Sequence, residues 1–365
     1  MASLLPRRKN NSLPLDARTN NIQRRFLVII PAYQEDSVIV ATAEAAVGQD
    51  YPSALYHVVV VSDHQKSDTN RKLSVLPLTL LQPTFEKSSK GRALQYAIQH
   101  SGSNYDRVVI LDADNIVPTH FLSQLDNLCH EGHRVIQCHR TAKNSSGDIA
   151  ILDGISEEIN NAIFRKGHNR IGLSSALIGS GMCFEAKWFC SHIGKIKTAG
   201  EDRELEKMLF SERLHVYYAE HIDVLDEKVS TGDNFEHQRL RWLSAQLQSL
   251  LDLLPGLPKA LFHGNINYLD KTLQQMLLPR SVLLILLPLL AVGISFFSLQ
   301  LSAKWWLLCV VLYLAILVSI PKRYYSWRVV LSLRQLPGLV WRMLHNLMRL
   351  DRHNRNFTHT QHSEL

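Results

Sequence analysis

The sequence contains few cysteines, and none of them has the spacing of a metal-binding pair. The start of the chain is not typical of a secretory leader, so we expect reduced thiols in a protein that faces the cytosol. Cys138 lies beside His139, but two adjacent ligand types do not form a metal site, and we predict that Cys138 fills the core. The five cysteines are Cys129, Cys138, Cys183, Cys190 and Cys309.

The main part of the chain lacks a basic excess, although the whole chain carries a formal charge of +7. The first 25 residues contain six cations and one acid, and residues 321–365 contain eight cations and two acids. These flanks therefore hold +5 and +6, which leaves −4 for residues 26–320. Because the folded part has no basic face, we predict that nucleic acid is not a partner.

Charge is also absent from two apolar runs, residues 281–303 and 305–321, which Lys304 separates. A helix needs roughly 20 apolar residues to cross a bilayer, so the first run is long enough and the second is slightly short. Aromatic residues at both ends of the second run are typical of interfacial belts. We predict two transmembrane helices within residues 278–321; a buried helical hairpin in a large soluble core is the alternative.

The basic flanks predict how this hairpin is oriented. Positive residues favour the cytoplasmic side and anionic headgroups, and two crossings place both flanks inside. Residues 1–24 are polar and predicted to be a flexible basic tail. Residues 244–277 are predicted to be an amphipathic interface segment. Residues 322–365 are predicted to be a basic amphipathic cytoplasmic tail, part of which suits a helix in the headgroup plane.

Residues 25–243 alternate between apolar strand patterns and helix patterns in their first half. The runs "RFLVIIPAY", "YHVVVVSDH" and "DRVVILDADN" are continuous, β-branched and separated by helical patterns that end at glycine. Such runs are typical of a parallel sheet with helices on both faces. We predict an α/β domain with a mostly parallel sheet, and ligands bind such sheets beyond the carboxyl ends of the strands.

The run "VVILDADN" ends in two carboxylates that share one side of the strand, Asp112 and Asp114. Two oxygen donors at a strand tip suit Mg²⁺ or Mn²⁺, and such an ion can clamp phosphate oxygens. Aspartates in a solvated turn are an equally good interpretation of this pattern taken alone.

Polar residues also follow the first two strands. Asp63 stands at the tip of the second strand, where a carboxylate can accept the imide N–H of a pyrimidine. Tyr33 and Glu35 lie just beyond the first strand, where an aromatic ring can pack against a base or ribose. Turn chemistry and packing are the alternatives, and for Asp68 we prefer a turn or cap role.

Three further segments carry candidate residues. Lys90 starts a predicted helix, where the dipole and free N–H groups favour an anion, although a solvated lysine also fits. Gly181 follows Ser180 in "LIGSG", which suits close approach of a ligand or a simple bend. Glu201 and Asp202 begin a helix, and ordinary capping explains them from spacing alone.

The segment "EHQRLRW" precedes the apolar runs. On a helix Gln238, Arg241 and Trp242 share a face, and Arg239 is predicted to point elsewhere. That face offers an amide, a planar cation for phosphate and an indole for a sugar ring. A membrane-interface helix with a snorkelling arginine is the alternative.

Taken in order, "PAYQE", Asp63, "DAD", "GED" and "QRLRW" resemble the family 2 glycosyltransferases. The similarity is to the membrane-bound branch with a D, D, D, Q-x-x-R-W pattern, which includes cellulose, chitin and hyaluronan synthases. It covers residues 26 to about 320. The resemblance implies a GT-A fold, a nucleotide-sugar donor that is usually a UDP-sugar, a Mg²⁺ or Mn²⁺ cofactor, and inverting transfer without a covalent intermediate.

The resemblance also implies a role for each matched residue. Asp202 is the expected base that takes the proton of the acceptor hydroxyl, Arg241 assists at the diphosphate, and Asp114 binds the metal. The expected nucleotide-binding residues are Pro31, Tyr33, Glu35, Asp63, Lys90 and Asp112. The expected acceptor-binding residues are Ser180, Gly181, Gln238 and Trp242.

The chain departs from this pattern in several places. Ser62 precedes Asp63 where many relatives have a second acid, Gly200 stands where threonine is common, and no F-x-V-T loop follows Trp242. Two spans cannot enclose a polysaccharide channel, so we expect an oligomer, a membrane partner or single addition to a lipid, as in ceramide glucosyltransferase-like relatives. The expected location is multi-pass in a bacterial inner membrane with a cytoplasmic catalytic domain. A catalytically silent nucleotide-sugar sensor or scaffold is the alternative of another class.

Overall fold

A computed structural model describes residues 23–143, 147–198, 200–228 and 232–348, with the side chains of residues 232–234 and 237 left out of the description. The predicted tail of residues 1–24 therefore lies almost entirely outside the described residues, and so does the end of the predicted tail of residues 322–365.

Seven strands form one sheet in the described part of the chain, in the order β3-β2-β1-β4-β6-β5-β7. Only β6 runs antiparallel to its neighbours, β4 and β5, and the other pairs are parallel. The prediction of a mostly parallel α/β sheet is confirmed. The strands are β1 (Phe26–Tyr33), β2 (Tyr56–Asp63), β3 (Thr79–Leu81), β4 (Arg107–Ile110), β5 (Val135–Ala142), β6 (Met182–Glu185) and β7 (Val216–Asp226).

Helices connect the strands and continue beyond the last one. α5 extends through a π-helical segment, Asn161–Gly167, into α6. The helices are α1 (Ile39–Val47), α2 (Ser67–Ser74), α3 (Lys90–His100), α4 (Phe121–His130), α5 (Asp148–Asn160), α6 (His168–Arg170), α7 (Ala186–Ile193), α8 (Glu201–Ser211), α9 (Gly232–Leu253), α10 (Leu257–Phe262), α11 (Ile266–Met276), α12 (Arg280–Ser295), α13 (Leu299–Ser319), α14 (Trp327–Ser332) and α15 (Leu336–Met348).

Both faces of the sheet are covered, which explains why the strands are continuously apolar. In β1, Val28 and Ile30 pack into the same core cluster as residues of α1 and α4. Leu27 and Ile29, which alternate with them, pack with residues of α3, α7 and α8 on the other face. A strand buried on both faces has no solvent-facing position for a polar side chain. Because β1 pairs in parallel with both β2 and β4, the carboxyl ends of these three strands lie side by side at one edge of the sheet.

The helix that carries the "QRLRW" segment is long and packed along its length. α9 runs without a break through residue 243, where the predicted domain boundary falls. Tyr268 of α11 donates a hydrogen bond to the carbonyl of Leu253 (2.9 Å). On the other side Asn346 of α15 donates to the carbonyl of Glu236 (2.9 Å). α9 is therefore held by α11 near its end and by α15 near its start.

The predicted hairpin of residues 278–321 differs from the structure in its turn. α12 and α13 pack together, with the Tyr313 hydroxyl donating to the carbonyl of Leu284 (2.8 Å). The turn lies at residues 296–298, and Lys304, expected between the two helices, lies inside α13. Ser298 accepts a hydrogen bond from the Leu301 N–H and so begins α13. An apolar turn carries no charge signal, which is why the break was misplaced.

Within the described residues one helix, α13, is long and apolar enough to cross a membrane by itself. α12 has 16 residues and an internal proline, Pro288. It reaches the required length only together with α11, across a bend of 70°. The two predicted spans are therefore reduced to one helix that qualifies by length and composition.

Candidate functional site

Three carboxylates converge at the carboxyl ends of the strands. Asp112 and Asp114 follow β4, and Asp226 ends β7. Each contributes one oxygen, and these oxygens all lie within 4.8 Å of one another. The sequence predicted Asp112 and Asp114 but missed Asp226. Asp226 also ends a strand, but β7 contains Glu220, His221 and Asp223 and so lacks the continuous apolar run that precedes Asp112.

Asn115 orients this group of carboxylates. Its amide nitrogen donates to Asp114 Oδ1 (3.1 Å) and to Asp226 Oδ1 (3.1 Å). Its carbonyl oxygen accepts from the backbone N–H of Asp112 (3.0 Å). The backbone N–H of Glu227 donates to the second oxygen of Asp114 (3.1 Å). The side chain of Asp114 is therefore held in one orientation while buried.

A partly buried arginine and a buried lysine lie beside the carboxylates. Arg140 donates from Nε to Glu157 Oε1 (2.8 Å), and its Nη1 lies 3.7 Å from Asp226 and 3.9 Å from Asp112. Lys228 pairs with Asp226 (2.6 Å) and with Glu157. Burial opposes ionisation of Glu157, but the charges of Arg140 and Lys228 outweigh it and hold the pKa of this carboxyl well below its usual range. Sequence reasoning predicted none of these three network residues, because no local pattern links them.

Lys90 connects the metal-type carboxylates to the start of α8. Its ammonium group donates to the Asp112 carboxylate and to the carbonyl of Gly179 (2.8 Å), and it lies 3.4 Å from Glu201. Burial disfavours the charge on Lys90, yet Asp112 and Glu201 outweigh this effect and raise its pKa. Lys90 is thus a partly buried, positively charged residue of the site.

The loop before β6 lies against both this lysine and the predicted base, Asp202. Gly179 has φ +85°, and a Cβ there would lie 3.6 Å from Lys90 Nζ and 3.9 Å from Asp202 Oδ2. Burial, with the charges of Asp202 and Asp112, raises the pKa of Glu201 to about 7 although Lys90 opposes the shift. Capping alone therefore does not account for Glu201, whose carboxylate faces Lys90.

The predicted nucleoside residues lie at the edge formed by β1 and β2. Tyr33 and Asp63 are directly paired in the register of these strands, as are Pro31 and Val61. Asp63 is buried, and its Oδ1 lies 2.6 Å from His64 Nδ1. The carbonyl of Glu35 accepts from the first backbone N–H groups of α1. Asp68, in contrast, is exposed and pairs with Arg71 and Lys72 on α2, consistent with its predicted local role.

The predicted acceptor residues fall into two places. Ser180 and Gly181 are buried beside β5, where Gln137 donates to the carbonyl of Ser180 (2.9 Å) and the Cys138 N–H donates to the carbonyl of Gly181 (2.8 Å). Gly181 has φ +61°, and a Cβ there would meet Val224 at 3.0 Å. Glycine is therefore required at position 181, where the residue before β6 approaches Val224 of β7 and Cys138 of β5.

The "QRLRW" face of α9 includes one residue that the helical spacing excluded. The guanidinium of Arg239 lies 4.4 Å from the centre of the Trp242 ring and 4.7 Å from that of Phe235. The expectation that Arg239 points elsewhere is wrong, because residues 239 and 242 are separated by three positions and so are neighbours on a helix. α9 also passes the start of α8, where Ala245 lies 3.7 Å from a Cβ placed at Gly200.

A second cluster of charged side chains surrounds His139 of β5. His139 Nδ1 lies 2.9 Å from Asp223, and its Nε2 lies 3.2 Å from Glu158. Arg323 and Thr141 also bind Glu158. Burial opposes protonation of His139, but its hydrogen bonds to Asp223 and Glu158 outweigh it and raise the pKa to about 9. The imidazolium therefore joins β5, β7 and α5.

We expect the free energy of unfolding to fall as pH rises from about 6.5 to about 9. A raised pKa in the folded state means that the stabilisation by His139 is fully present below its unfolded pKa of 6.5 and is lost through about 9. The shift corresponds to about 3 kcal/mol. Denaturant titrations of wild type and His139→Gln at several pH values measure it, with exposed His221→Gln as control. An equal dependence of the free energy of unfolding on pH in wild type and His139→Gln would contradict this assignment.

Comparison with known proteins gives a family and a fold. Residues 23–245 match the family described as "Glycosyltransferase like family 2". No curated protein matches the chain by sequence. The structure resembles a mannosyltransferase from Pyrobaculum calidifontis, solved with GDP-Man and Mn²⁺, with a TM-score of 0.53 and 17% identity over 91% of this chain and 89% of that one. It also resembles TarS residues 1–349 from S. aureus, with a TM-score of 0.48 and 15% identity over 88% of each chain.

Proposed function

Because this chain belongs to the glycosyltransferase-like family 2 and is a glycosyltransferase, we propose that it acts at a membrane and uses a nucleoside-diphosphate sugar, with UDP as the expected nucleotide. The proposed acceptor is a polysaccharide or a glycolipid. The observation that carries the proposal is the convergence of Asp112, Asp114 and Asp226 beside Lys90, with both Lys90 and Asp202 lying against Gly179.

The donor set fits a divalent cation. Around an octahedral Mg²⁺ ion adjacent ligands lie about 3 Å apart and opposite ligands about 4.2 Å apart, so three carboxylate oxygens within 4.8 Å of one another are near the required spacing. All three groups are hard oxygen donors, and Asn115 already orients two of them. Asp114 and Asp226, with Asp112, would hold the ion. When bound, it would stabilise negative charge on the diphosphate.

The chain's own residues supply the remaining steps of the proposed transfer. Asp202 takes the proton of the acceptor hydroxyl as that oxygen forms a bond to the anomeric carbon, and the bond from this carbon to the diphosphate oxygen breaks. Lys90 and Arg241 supply positive charge to the leaving diphosphate. Attack from the face opposite the leaving group inverts the anomeric centre.

Binding of the two substrates is assigned to separate groups of residues. The edge of β1 and β2 is proposed to bind the nucleoside through Pro31, Tyr33, Glu35 and Asp63, with Asp112 beside the nucleotide. The pairing of Tyr33 with Asp63 supports this assignment because it places a ring beside a carboxylate. The proposed acceptor residues are Ser180, Gly181, Gln238 and Trp242.

Membrane attachment through residues 278–321 and membership of the Q-x-x-R-W branch are part of the proposal. Large apolar side chains of α13 are exposed, among them Leu307, Val311 and Leu314. Exposed apolar surface of this extent is typical of a membrane contact. The proposed cytoplasmic orientation of the site combines the basic flanks with two crossings, one by α13 and one by α11 and α12 together.

We expect the expressed chain to sediment with the membrane fraction. High salt and alkaline carbonate should leave it there because apolar burial, rather than charge, holds it, and detergent should release it. Immunoblots of the washed pellets and supernatants measure the distribution. Recovery in the supernatant without detergent would contradict membrane attachment.

We expect Asp226→Asn to weaken Mn²⁺ binding by about 10- to 100-fold, because one of three oxygen donors loses its charge. Electron paramagnetic resonance of free Mn²⁺ measures the affinity directly. Asp223→Asn is the matched control, since Asp223 lies on the same strand and faces His139 instead. Equal affinities for the wild type and Asp226→Asn would contradict the role of Asp226.

The experiment for the whole proposal uses the detergent-solubilised chain with a panel of UDP- and GDP-sugars and Mn²⁺. Sugar transfer or donor hydrolysis that a chelator abolishes and Mn²⁺ restores is the expected result. Mass analysis of the product identifies the acceptor and the number of sugars added. Donor binding without turnover across the whole panel would instead support the nucleotide-sugar sensor.

A further inference from the structure

Three arginines converge on successive turns of α5 and its π-helical continuation. Arg239 of α9 pairs with the carboxylate of Asp153. Arg280, the first residue of α12, donates from Nη2 to the carbonyl of Ser156 (2.8 Å) and to its hydroxyl (3.0 Å). Arg165 donates from Nη1 to the side-chain oxygen of Asn161 (2.7 Å). We call Arg165, Arg239 and Arg280 the arginine cluster.

Each member of the arginine cluster keeps one buried donor without a hydrogen-bond partner. These donors are Arg165 Nε, Arg239 Nε and Arg280 Nη1. The side chain of Arg165 is 5% exposed, so water does not reach it easily. The charges of Arg239 and Arg165 also repel that of Arg280. Natural structures rarely leave three such groups unsatisfied together, which indicates a ligand.

The described ion pairs do not neutralise the arginine cluster. Asp153 is the one carboxylate in the described residues that pairs directly with a member of it. Glu157 lies close enough to attract Arg165, but it already binds Arg140 and Lys228. Two positive charges are thus left for an anion. The Arg239 guanidinium lies over the rings of Phe235 and Trp242, and its N–H donors can still form hydrogen bonds.

The arginine cluster stands between the proposed donor site and the apolar helices. Arg165 reaches the donor side through Glu157, whose partner Arg140 lies near Asp112 and Asp226. Arg280 begins α12, beyond which the chain is uncharged until Lys304. An anion bound here would lie at the boundary between the polar domain and the apolar helices α12 and α13. That is the depth of a lipid headgroup.

We propose that Arg165, Arg239 and Arg280 bind the phosphate group of a lipid phosphate, whose hydrocarbon chain lies along α12 and α13. Planar guanidinium groups bind phosphate oxygens through paired N–H donors, and several can share one phosphate. The inference rests on the proposed function, because it identifies the acceptor class as a phosphate-bearing lipid. A free phosphate has the same recognition chemistry but gains nothing from the apolar helices.

Binding of paired lipids to the full chain in detergent tests the proposal. The probes are a polyprenyl monophosphate, the polyprenol of the same length and inorganic phosphate. Wild type is expected to bind the lipid phosphate about 10- to 100-fold more tightly than the alcohol, because charged hydrogen bonds to buried groups are lost with the phosphate. Arg280→Gln keeps a donor for Ser156 and is expected to reduce this preference to about twofold. Arg334→Gln, an exposed arginine paired with Asp148, is the matched control.

Three results would overturn the proposal. They are equal binding of the lipid phosphate and the alcohol, an undiminished preference in Arg280→Gln, and binding of inorganic phosphate as tight as that of the lipid phosphate. Binding of UDP with Mn²⁺ to the same samples reports separately on the donor site and on folding. Loss of UDP binding with an intact preference for the lipid phosphate would contradict the donor-site assignment but not the proposed role of the arginine cluster. Intact UDP binding without a preference for the lipid phosphate would contradict only the proposed role of the arginine cluster.

Discussion

Replacing Asp202 with asparagine is expected to lower the rate of sugar transfer by about 10²- to 10⁴-fold while donor and Mn²⁺ affinities change by no more than about twofold. Asn keeps the size of the side chain and an oxygen that can accept the hydrogen bond from the Arg203 N–H (2.8 Å). It cannot take a proton from the acceptor hydroxyl. The loss should therefore appear in kcat measured at saturating donor.

A variant of the neighbouring Glu201 distinguishes a role of Asp202 as base from a purely electrostatic role. Glu201 is buried and faces Lys90, and the pKa of its carboxyl is raised to about 7. Glu201→Gln is expected to disturb the position of Lys90 and to weaken donor binding. Exposed Asp68→Asn controls for the chemical change itself. Full activity of Asp202→Asn together with an inactive Glu201→Gln would transfer the role of base to Glu201.

Replacing Glu157 with glutamine is expected to lower the free energy of unfolding by about 3–5 kcal/mol. The buried Glu157 carboxylate is shared by Arg140, which is partly buried, and by buried Lys228. Removing its charge takes one close acidic partner from each cation and leaves Asp226 as the acid that they share. Glutamine preserves the volume, so the loss reports charge rather than packing. Urea titrations followed by tryptophan fluorescence measure it on the detergent-solubilised chain.

Glu131→Gln is the matched control for this measurement, because Glu131 is 57% exposed and pairs only with His133 among the contacts described for it. Its loss should stay below about 1 kcal/mol, as for other exposed pairs. If the two variants lost equal stability, the buried network would not be the source of the effect. Mn²⁺ should recover part of the loss in Glu157→Gln, because a ligand that binds only the folded state stabilises it.

The first half of the sheet could be predicted from the sequence, and the second half could not. β1, β2 and β4 are continuous apolar runs because both of their faces are buried, and such runs can be recognised in the sequence. β6 has four residues and pairs antiparallel between strands that are distant in sequence. No local pattern encodes such a pairing, since it depends on contacts made only after the chain has folded back.

The same division holds within the site. Asp112, Asp114 and Lys90 could be predicted from the sequence, because the two aspartates follow strand β4 and the lysine begins helix α3. Arg140, Glu157 and Lys228 were not, because buried charges are recognised only by the partners that neutralise them. Arg239 was misjudged, and its contact with Trp242 follows from helical spacing once α9 is considered as a whole.

Sequence alone determined the α/β class, the carboxylates at the strand tips and the apolar character of the C-terminal helices. These follow from local periodicity and composition, which act over a few residues. Tertiary structure decided which distant charges meet: Asp226 joins Asp112 and Asp114 across the sheet, and Arg165, Arg239 and Arg280 gather on one helix. The reason is physical, because electrostatic energy depends on distance in space and the chain brings these groups together only when its core is packed.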